Sequence, residues 1–522
     1  MGNNEKLILE GLLDIVKIIQ ENEIGPEFNI YINKIAYYYD SLVDDKKLLQ
    51  MIKQMCKGIP HEHLMLLDYL YKATKRSSIL EEQIQVLIES IKEKQINLFT
   101  AIFYRWQIIH KVFMNSEIGS LFIERSELQR ILVKSTNELL QVVNIKKTKS
   151  MPHHDRILVV TTQLLGDKHG PTQNTLDYCY TLQKKLKKEV FLLVTFEMPS
   201  NIPEEMVTLS EGRDICLFNY EESLEGDFIL SYMGENIKGY QCRVDEQNIE
   251  ELKGVLLNIY NWNPYLVYNL GGDNIIADIC GEFTTQVTLP FSYGYPISQG
   301  KFLILPRSEE KHEQFIKDYI KEYNQILLES IFVFKLREPI KIHTKADVGI
   351  DAHKFVIAIV GNRLDNEISK NFAQELRKLL IKNNNLLIVF IGVFQDYELR
   401  KEEFGPLEST KYIGYQDDIR GVLNLADIYL NPPRKGGGTS AVEALAEGIP
   451  VITLPFCDVA YAVGQDFVHE NYVDLENLIA KYQNDSLFYE KQIQRAKEVS
   501  SKVINTEATL KDILTRIQLE EI

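Results

Sequence analysis

The pattern with the clearest chemical meaning lies toward the end of the chain, where an apolar stretch runs into three consecutive glycines. It reads Leu430-Asn-Pro-Pro-Arg-Lys-Gly-Gly-Gly-Thr-Ser and continues to a Gly-Ile-Pro turn at 448–450. Glycines let a backbone approach a ligand without a Cβ in the way. The free amides and the dipole of the helix that follows suit an anion such as a diphosphate. A plain strand-to-helix turn is the alternative for a glycine loop taken alone.

The predicted anion site has side chains as well as backbone. Thr439 and Ser440 are placed to cap the helix, and Glu443 lies one turn further on, where a carboxylate can accept hydrogen bonds from a ribose diol. No Gly-Lys-Ser/Thr follows the glycines, so the segment is not a Walker loop. It also lacks the acidic residue of the dinucleotide fingerprint. The other candidates are the two cationic side chains and the three glycines just before the helix: Arg434, Lys435, Gly436, Gly437 and Gly438.

The helices and strands that must position these residues can be predicted from the spacing of apolar residues, which changes near residue 150. Before it, apolar residues recur every three or four positions, which predicts helices. After it, short apolar runs alternate with amphipathic helices, which predicts βαβ units and doubly wound sheets. We predict an α/β protein with two Rossmann-like domains after an all-α N-terminal domain. The expected ranges are 1–150 for the helical domain, 153–340 and 350–505 for the Rossmann-like domains, and 506–522 for a C-terminal helix.

The strands follow from the apolar runs. In the first Rossmann-like domain we predict strands at 156–162, 189–195, 214–218 and 265–269, with a helix at 172–187. In the second we predict strands at 354–360, 386–392, 428–430 and 450–454, with helices at 418–425 and 439–447. In folds of this kind, ligands bind at the carboxyl ends of the parallel strands.

Composition narrows the class of protein. The chain has 522 residues and a net charge of −16, which argues against general nucleic-acid binding. Its six cysteines are scattered and include no Cys-X-X-Cys pair, which favours free thiols in a reducing compartment. The N-terminus lacks the features of a secretory signal, and no apolar run reaches the ~20 residues of a membrane span. We therefore expect a cytoplasmic protein.

Three motifs follow one another in the last third of the chain: Tyr412-Ile-Gly-Tyr-Gln-Asp-Asp418, Leu425-Ala-Asp-Ile-Tyr-Leu-Asn-Pro432 and Glu443-Ala-Leu-Ala-Glu-Gly-Ile-Pro450. Together they resemble the donor half of GT-B glycosyltransferases, which have two Rossmann-like domains. The resemblance implies a nucleotide-sugar donor, with a UDP-sugar favoured, and neither a metal nor a further cofactor. It implies that Tyr415 and Gln416 lie by the nucleotide base, and that Asn362 and Arg363 face the phosphates.

One position departs from the retaining members of that class. These usually carry a second glutamate eight residues before the ribose glutamate, and Lys435 stands there in this chain. The Gly-Gly-Gly-Thr-Ser loop is more similar to inverting relatives such as the O-linked GlcNAc transferases and the adhesin N-glucosyltransferases. We therefore expect an inverting transfer, which needs a general base.

The resemblance also points to the loop after the first predicted strand, which often holds that base. His169 is the candidate base and Asp167 the fallback, while a loop histidine near solvent is the plainer alternative. Pro171 suits a first helical turn and Thr172 can supply a cap. A second loop after a first-domain strand, with Gly271, Gly272 and Asp273, can contact the sugar or the acceptor, or form a simple turn.

The leading hypothesis is transfer of a sugar from a nucleoside-diphosphate sugar to a protein or glycan acceptor. The helical region is the expected binding site for that acceptor or for a protein partner. A nucleotide-sugar 2-epimerase shares the fold and needs no separate acceptor. A catalytically silent GT-B-like subunit that assists a true transferase is the alternative outside the enzyme class; the intact glycine loop with Glu443 argues against it.

Overall fold

The chain forms two compact units in the computed structural model. The first comprises Met1–Gly166, Lys188–Leu303 and Glu309–Leu327, and the second Asp167–Lys187, Ile304–Ser308 and Leu328–Ile522. The structure describes residues 3–21, 30, 33–35, 37–38, 45–115, 122–143, 152–166, 169–199, 222–291, 298–305, 313–455 and 457–521. Asp167 and the predicted strand at 214–218 lie outside these residues.

The N-terminal region is helical, as its periodicity predicts. Its described helices are α1 (Asn3–Glu21), α2 (Asp45–Met55), α3 (Pro60–Thr74), α4 (Ser77–Lys92), α5 (Leu98–Met114) and α6 (Phe122–Val143). Their buried faces share one apolar core with strands of the first sheet, for example Leu66 and Phe103 with Val160 and Val267. The helical region is therefore packed on the first Rossmann-like sheet rather than standing apart from it.

The first sheet has eight strands. They are β1 (His153–Thr161), β2 (Glu189–Val194), β3 (Gly226–Tyr232), β4 (Glu235–Gln241), β5 (Pro264–Leu270), β6 (Thr285–Leu289), β7 (Phe302–Leu305) and β8 (Ile326–Glu329), in the order β3-β4-β2-β1-β5-β6-β7-β8. β1 pairs in parallel with both β2 and β5, whereas β3 and β4 form an antiparallel hairpin at one edge. The helices among them are α7 (Gly170–Tyr180), which continues as a π-helical turn at Thr181–Lys185, α8 (Ile249–Trp262), α9 (Ile275–Cys280) and α10 (Glu313–Glu322).

The second sheet has five parallel strands, β9 (Phe355–Gly361), β10 (Leu386–Gly392), β11 (Thr410–Tyr412), β12 (Ile428–Leu430) and β13 (Val451–Ile452), in the order β11-β10-β9-β12-β13. Alternate residues of β9 enter opposite cores: Ile357 and Ile359 pack on one face, and Val356 and Ala358 on the other. This is a doubly wound sheet buried on both faces.

Helices of two lengths surround the second sheet. Short helices are α11 (Leu364–Glu367), α13 (Tyr397–Arg400), α14 (Ile419–Leu423) and α16 (Asp458–Val463). Longer ones are α12 (Lys370–Lys382), α15 (Gly438–Ala446), α17 (Leu475–Asn484) and α18 (Ser486–Val503). The last helix, α19 (Thr506–Glu521), packs instead against α7 and the π-helical turn that follows it. The predicted fold class, two Rossmann-like domains preceded by a helical region, is confirmed. In the part of the chain that the structure describes, no helix is long and apolar enough to cross a membrane.

Gly392, the last residue of β10, can only be a glycine without strain. Gly392 has φ +119°, and a Cβ there would lie 2.7 Å from the Gly361 carbonyl carbon. Gly414 also has a positive φ, +73°, but a Cβ there would meet no atom within 4 Å. The two sites therefore separate backbone strain from steric overlap.

We predict that Gly392→Ala destabilises the second unit by at least about 3 kcal/mol, because a neighbouring backbone carbonyl cannot move aside as a side chain can. Gly414→Ala carries only the backbone strain and should destabilise it by about 1–2 kcal/mol. Denaturant unfolding of both variants measures the difference. Equal losses at the two positions would contradict a steric cause at Gly392.

Candidate active site

The candidate site lies where the strand order of the second sheet reverses. β9 and β12 are neighbours there, but the chain leaves them in opposite directions, toward β10 and toward β13. A crevice opens at the carboxyl ends of two such strands, and open α/β sheets bind ligands in it. β9 ends at Gly361 and leads into Asn362 and Arg363, whereas β12 ends at Leu430 and leads into the glycine loop. We call residues 434–440 the donor loop.

The donor loop delivers the backbone to the start of α15. Gly437 is the N-cap of this helix, with φ 103°, and no side chain caps it. The prediction that Thr439 or Ser440 caps α15 is wrong, because both residues lie inside its first turn. Ser440 instead donates to the Gly437 carbonyl at 3.1 Å and pairs with the Tyr429 hydroxyl at 2.8 Å. The first amides of α15 thus meet no capping side chain, as a site for an anion requires.

Arg434 forms the inner side of the donor loop and is almost completely buried. Its Nε donates to Asn431 Oδ1 at 2.8 Å, its Nη1 to Glu367 Oε2 at 2.7 Å and its Nη2 to the Tyr429 hydroxyl at 2.9 Å. A Cβ at Gly437 would lie 2.6 Å from the Arg434 Cζ. The loop therefore wraps around this guanidinium, and glycine at 437 is what permits the approach.

Glu367 is the site residue that the sequence did not suggest. It is 8% exposed, at the end of the four-residue helix α11. Besides Arg434, it accepts from Arg363, whose Nη2 lies 3.0 Å from Glu367 Oε1. Arg363 keeps 35% of its side chain exposed, and Asn362 beside it is exposed. One buried carboxylate thus joins two arginines across the gap between β9 and β12.

Glu443 is half-buried on α15, one turn into the helix. The pKa of Glu443 is raised to about 7: burial is the main cause and Asp418 adds to it, while Arg420 and Arg337 oppose the rise. Arg420 offsets only part of the rise in pKa, because its guanidinium pairs with Glu447, with Nη2 2.6 Å from Oε1. No hydrogen bond to the Glu443 carboxylate is found among the described residues. The group is therefore positioned to accept hydrogen bonds from a ligand.

The remaining donor-side candidates lie in the same unit. Tyr415 is 47% exposed, after the end of β11. Gln416 donates from Nε2 to the Ile413 carbonyl at 2.7 Å, so its amide nitrogen helps to fix the turn that carries Tyr415. Lys435 is buried in the donor loop. Contacts of these residues with a nucleotide base or phosphate stay predictions.

His169 is the N-cap residue of α7, which belongs to the second unit. Its Nδ1 lies 2.9 Å from the Thr172 hydroxyl, and burial lowers the pKa of the imidazole. The prediction that Thr172 caps α7 is wrong, since no side chain caps this helix. A Cβ on Gly170, the next residue, would lie 3.6 Å from Thr439 Oγ1. The start of α7 therefore lies beside the start of α15.

Gly271, Gly272 and Asp273 lie in the first unit, after β5. All three have positive φ, so they form a left-handed turn that leads into α9. The Asp273 carboxylate pairs with the guanidinium of Arg105, a buried residue of α5. This contact ties the turn to the helical region, and a role in contacting the sugar or acceptor stays a prediction. No group of three or more His, Cys, Asp or Glu among the described residues is arranged to hold a metal ion.

Residues 341–499 match the family model of glycosyl transferases group 1. This match confirms the resemblance to GT-B glycosyltransferases that the motifs predict. None of the curated proteins matches the chain significantly in sequence.

Several solved structures are similar to this chain at low identity. An O-GlcNAc transferase mutant from Thermobaculum terrenum is 13% identical over 99% of this chain and 98% of that chain, with a TM-score of 0.49. HepE from Anabaena, solved in complex with UDP-glucose, is 14% identical over 70% of this chain and 100% of that chain, with a TM-score of 0.43. A glycosyltransferase from Rickettsia africae is 11% identical over 70% and 99%, with a TM-score of 0.47.

The raised pKa of Glu443 predicts that the affinity for a nucleotide sugar depends on pH. If the ionised carboxylate accepts hydrogen bonds from a ribose diol, protonation must compete with the ligand. A group with a pKa of about 7 is mostly ionised at about pH 8 and mostly protonated at about pH 6. Affinity for a nucleotide sugar should then fall about tenfold between these pH values.

Glu443→Gln is the matched control, because glutamine keeps the size of the side chain and does not titrate. Titration calorimetry at both pH values measures the two dissociation constants for each protein. A nucleotide sugar is the suitable probe, since its diphosphate has no terminal group that titrates in this range. The same pH dependence in Glu443→Gln would assign the effect to another group.

Proposed function

We propose that this chain is an inverting glycosyltransferase that moves a sugar from a nucleoside-diphosphate sugar, with a UDP-sugar favoured, to a protein or glycan acceptor. The observation that carries the proposal is the start of α15: a glycine N-cap without a capping side chain, where the strand order of the second sheet reverses within the residues that match the group 1 glycosyltransferase model. Backbone amides and helix dipole both favour a diphosphate at such a place.

The donor is held by three groups of contacts in this proposal. The amides of Gly438, Thr439 and Ser440 bind the diphosphate, and Arg363 supplies a cation at its edge. Glu443 accepts from the two ribose hydroxyls, which explains the value of an unpaired carboxylate one turn along the same helix. Tyr415 stacks on the base, since it is an exposed aromatic ring at the end of β11.

The chemical step needs one base and one stabilised leaving group. His169 Nε2 takes the proton of the acceptor group as its oxygen or nitrogen attacks the anomeric carbon. The bond from that carbon to the diphosphate oxygen breaks, and the electron pair stays on the diphosphate, where the α15 amides stabilise the charge. A lowered pKa keeps His169 neutral near pH 7, as a base must be. Lys435, where retaining relatives carry a glutamate, supports inversion.

The acceptor side involves the first unit. The helical region shares its core with the first sheet, so a surface on α1–α6 is fixed relative to the loops of that sheet. This supports the proposal that residues 1–150 bind the acceptor or a protein partner. The shared core also means that removing these residues exposes apolar surface of the sheet, so point substitutions are a better test than truncation.

We expect one nucleoside diphosphate in a panel of UDP, GDP, ADP and their sugar conjugates to raise the unfolding temperature of the protein. At 100 times its dissociation constant a ligand should stabilise the fold by about 2.7 kcal/mol. Glu443→Ala should lose most of this shift, because the ribose contact is removed. Thermal unfolding monitored by fluorescence measures both proteins.

The same panel separates the alternatives. Conversion of a nucleotide sugar to its 2-epimer without acceptor would favour the epimerase. The absence of a shift with every nucleotide would contradict the donor site and favour a silent subunit.

We predict that His169→Gln lowers the transfer rate by about 10²- to 10⁴-fold, the usual contribution of a general base. Donor affinity should stay unchanged, since the imidazole contacts the acceptor rather than the nucleotide. His353→Gln, at an exposed position of the same unit, is the control. Turnover with the acceptor and calorimetry with the donor measure the two effects. A normal rate in His169→Gln would remove the histidine from the mechanism.

A further inference from the structure

We propose that Glu367 is a positioning residue for the phosphate-binding part of the site: it fixes the donor loop through Arg434 and holds Arg363 at the loop's edge. The inference rests on the proposed function, because it takes the start of α15 to be the place of a diphosphate. It assigns a role to a residue that lies in none of the motifs that suggested the site.

Arg434 is held inside the protein rather than presented to a ligand. All three nitrogens of its guanidinium make hydrogen bonds, at 2.7–2.9 Å, to Glu367, Asn431 and Tyr429. Its side chain is only 6% exposed. A diphosphate could therefore reach the two remaining N–H groups of the guanidinium only if the loop around them opened. Arg434 therefore acts on the phosphate through the loop that surrounds it.

The position of Arg434 sets the position of the donor loop. The backbone at Gly437 approaches the guanidinium so closely that a Cβ would lie 2.7 Å from Nε. Phe334 restricts the next residue of the loop, because a Cβ placed on Gly438 would lie 3.2 Å from the Phe334 ring. A displaced guanidinium would thus displace Gly437 and the first amides of α15.

Glu367 reaches Arg434 from the other side of the strand reversal. Asn431 and Tyr429 belong to the same chain segment as Arg434, so they move with it. Glu367 follows β9 and is 67 residues away in sequence from Arg434. Of the three partners, only Glu367 joins the two sides of the crevice.

The second carboxylate oxygen of Glu367 binds Arg363. Oε1 accepts from Arg363 Nε at 3.2 Å and Nη2 at 3.0 Å, which is a two-point contact. Two-point contacts orient a guanidinium as well as binding it. Glu367 is buried while Arg363 is partly exposed, so the carboxylate anchors a cation at the surface of the crevice. One side chain thereby sets both the amides and the cation that a diphosphate would meet.

The test uses inorganic pyrophosphate, because it probes the phosphate site without depending on the base or the ribose. We expect Glu367→Gln to weaken pyrophosphate binding by about 10- to 100-fold, as loss of a charge-assisted contact does. Glu375→Gln, which removes a carboxylate paired with Lys378 on α12, should leave pyrophosphate binding unchanged. Titration calorimetry measures each constant, and thermal unfolding checks that each protein is folded.

Glu367→Asp covers the case in which Glu367→Gln fails to fold. Aspartate keeps the charge but is too short to bridge both arginines, so pyrophosphate binding should still weaken. A merely structural role would lower the unfolding temperature of both variants and leave the pyrophosphate constant of the folded protein unchanged, which would overturn the proposal. Tighter binding in Glu367→Gln would also overturn it, by showing that the carboxylate competes with the anion. If neither pyrophosphate nor any nucleotide binds the wild-type protein, the proposed function itself fails.

Discussion

The buried charge of Arg434 is the constraint on which the candidate site depends. A guanidinium removed from water is strongly destabilising unless its nitrogens find acceptors and a counter-charge is present. The chain meets this need with a carboxylate from beyond β9, an amide just after β12 and a phenol within β12. These partners fix the geometry between two strands, and the glycine loop is the backbone that can close around such a charge.

The start of α15 can bind an anion because no side chain caps it. In the same unit, α12 is capped by Ser369 and α14 by Asp418, each of which accepts from an amide of its helix. Gly437 has no side chain with which to do so. Glycine at this N-cap therefore serves two purposes: it allows the approach to Arg434, and it leaves amides for an external acceptor.

How far the sequence could predict this structure depends on how local each signal is. The strands at 386–392 and 428–430 match their predicted bounds, because a buried parallel strand is a continuous apolar run that ends at Gly, Pro or a polar residue. The edge hairpin β3–β4 was missed: its strands are partly exposed and polar, and its turn is Met233-Gly234 rather than a common turn pair. Ser440 was expected as a cap, but Gly437 holds that position. Glu367 could not be found, since its partner lies 67 residues further along the chain.

Glu443 shows why the site is better explained by a ligand than by stability. A carboxyl whose pKa is raised to about 7 in the folded protein binds its proton more tightly there than in the unfolded chain. Between its ordinary pKa and pH 7, each rise in pH therefore lowers the stability of the fold. Arg420 would offset this loss if it paired with Glu443, yet it pairs with Glu447 one turn later. An acid whose charge is only partly compensated, beside an uncapped helix start, is typical of a functional site, and the hydroxyls of a bound ribose are donors that would complete it.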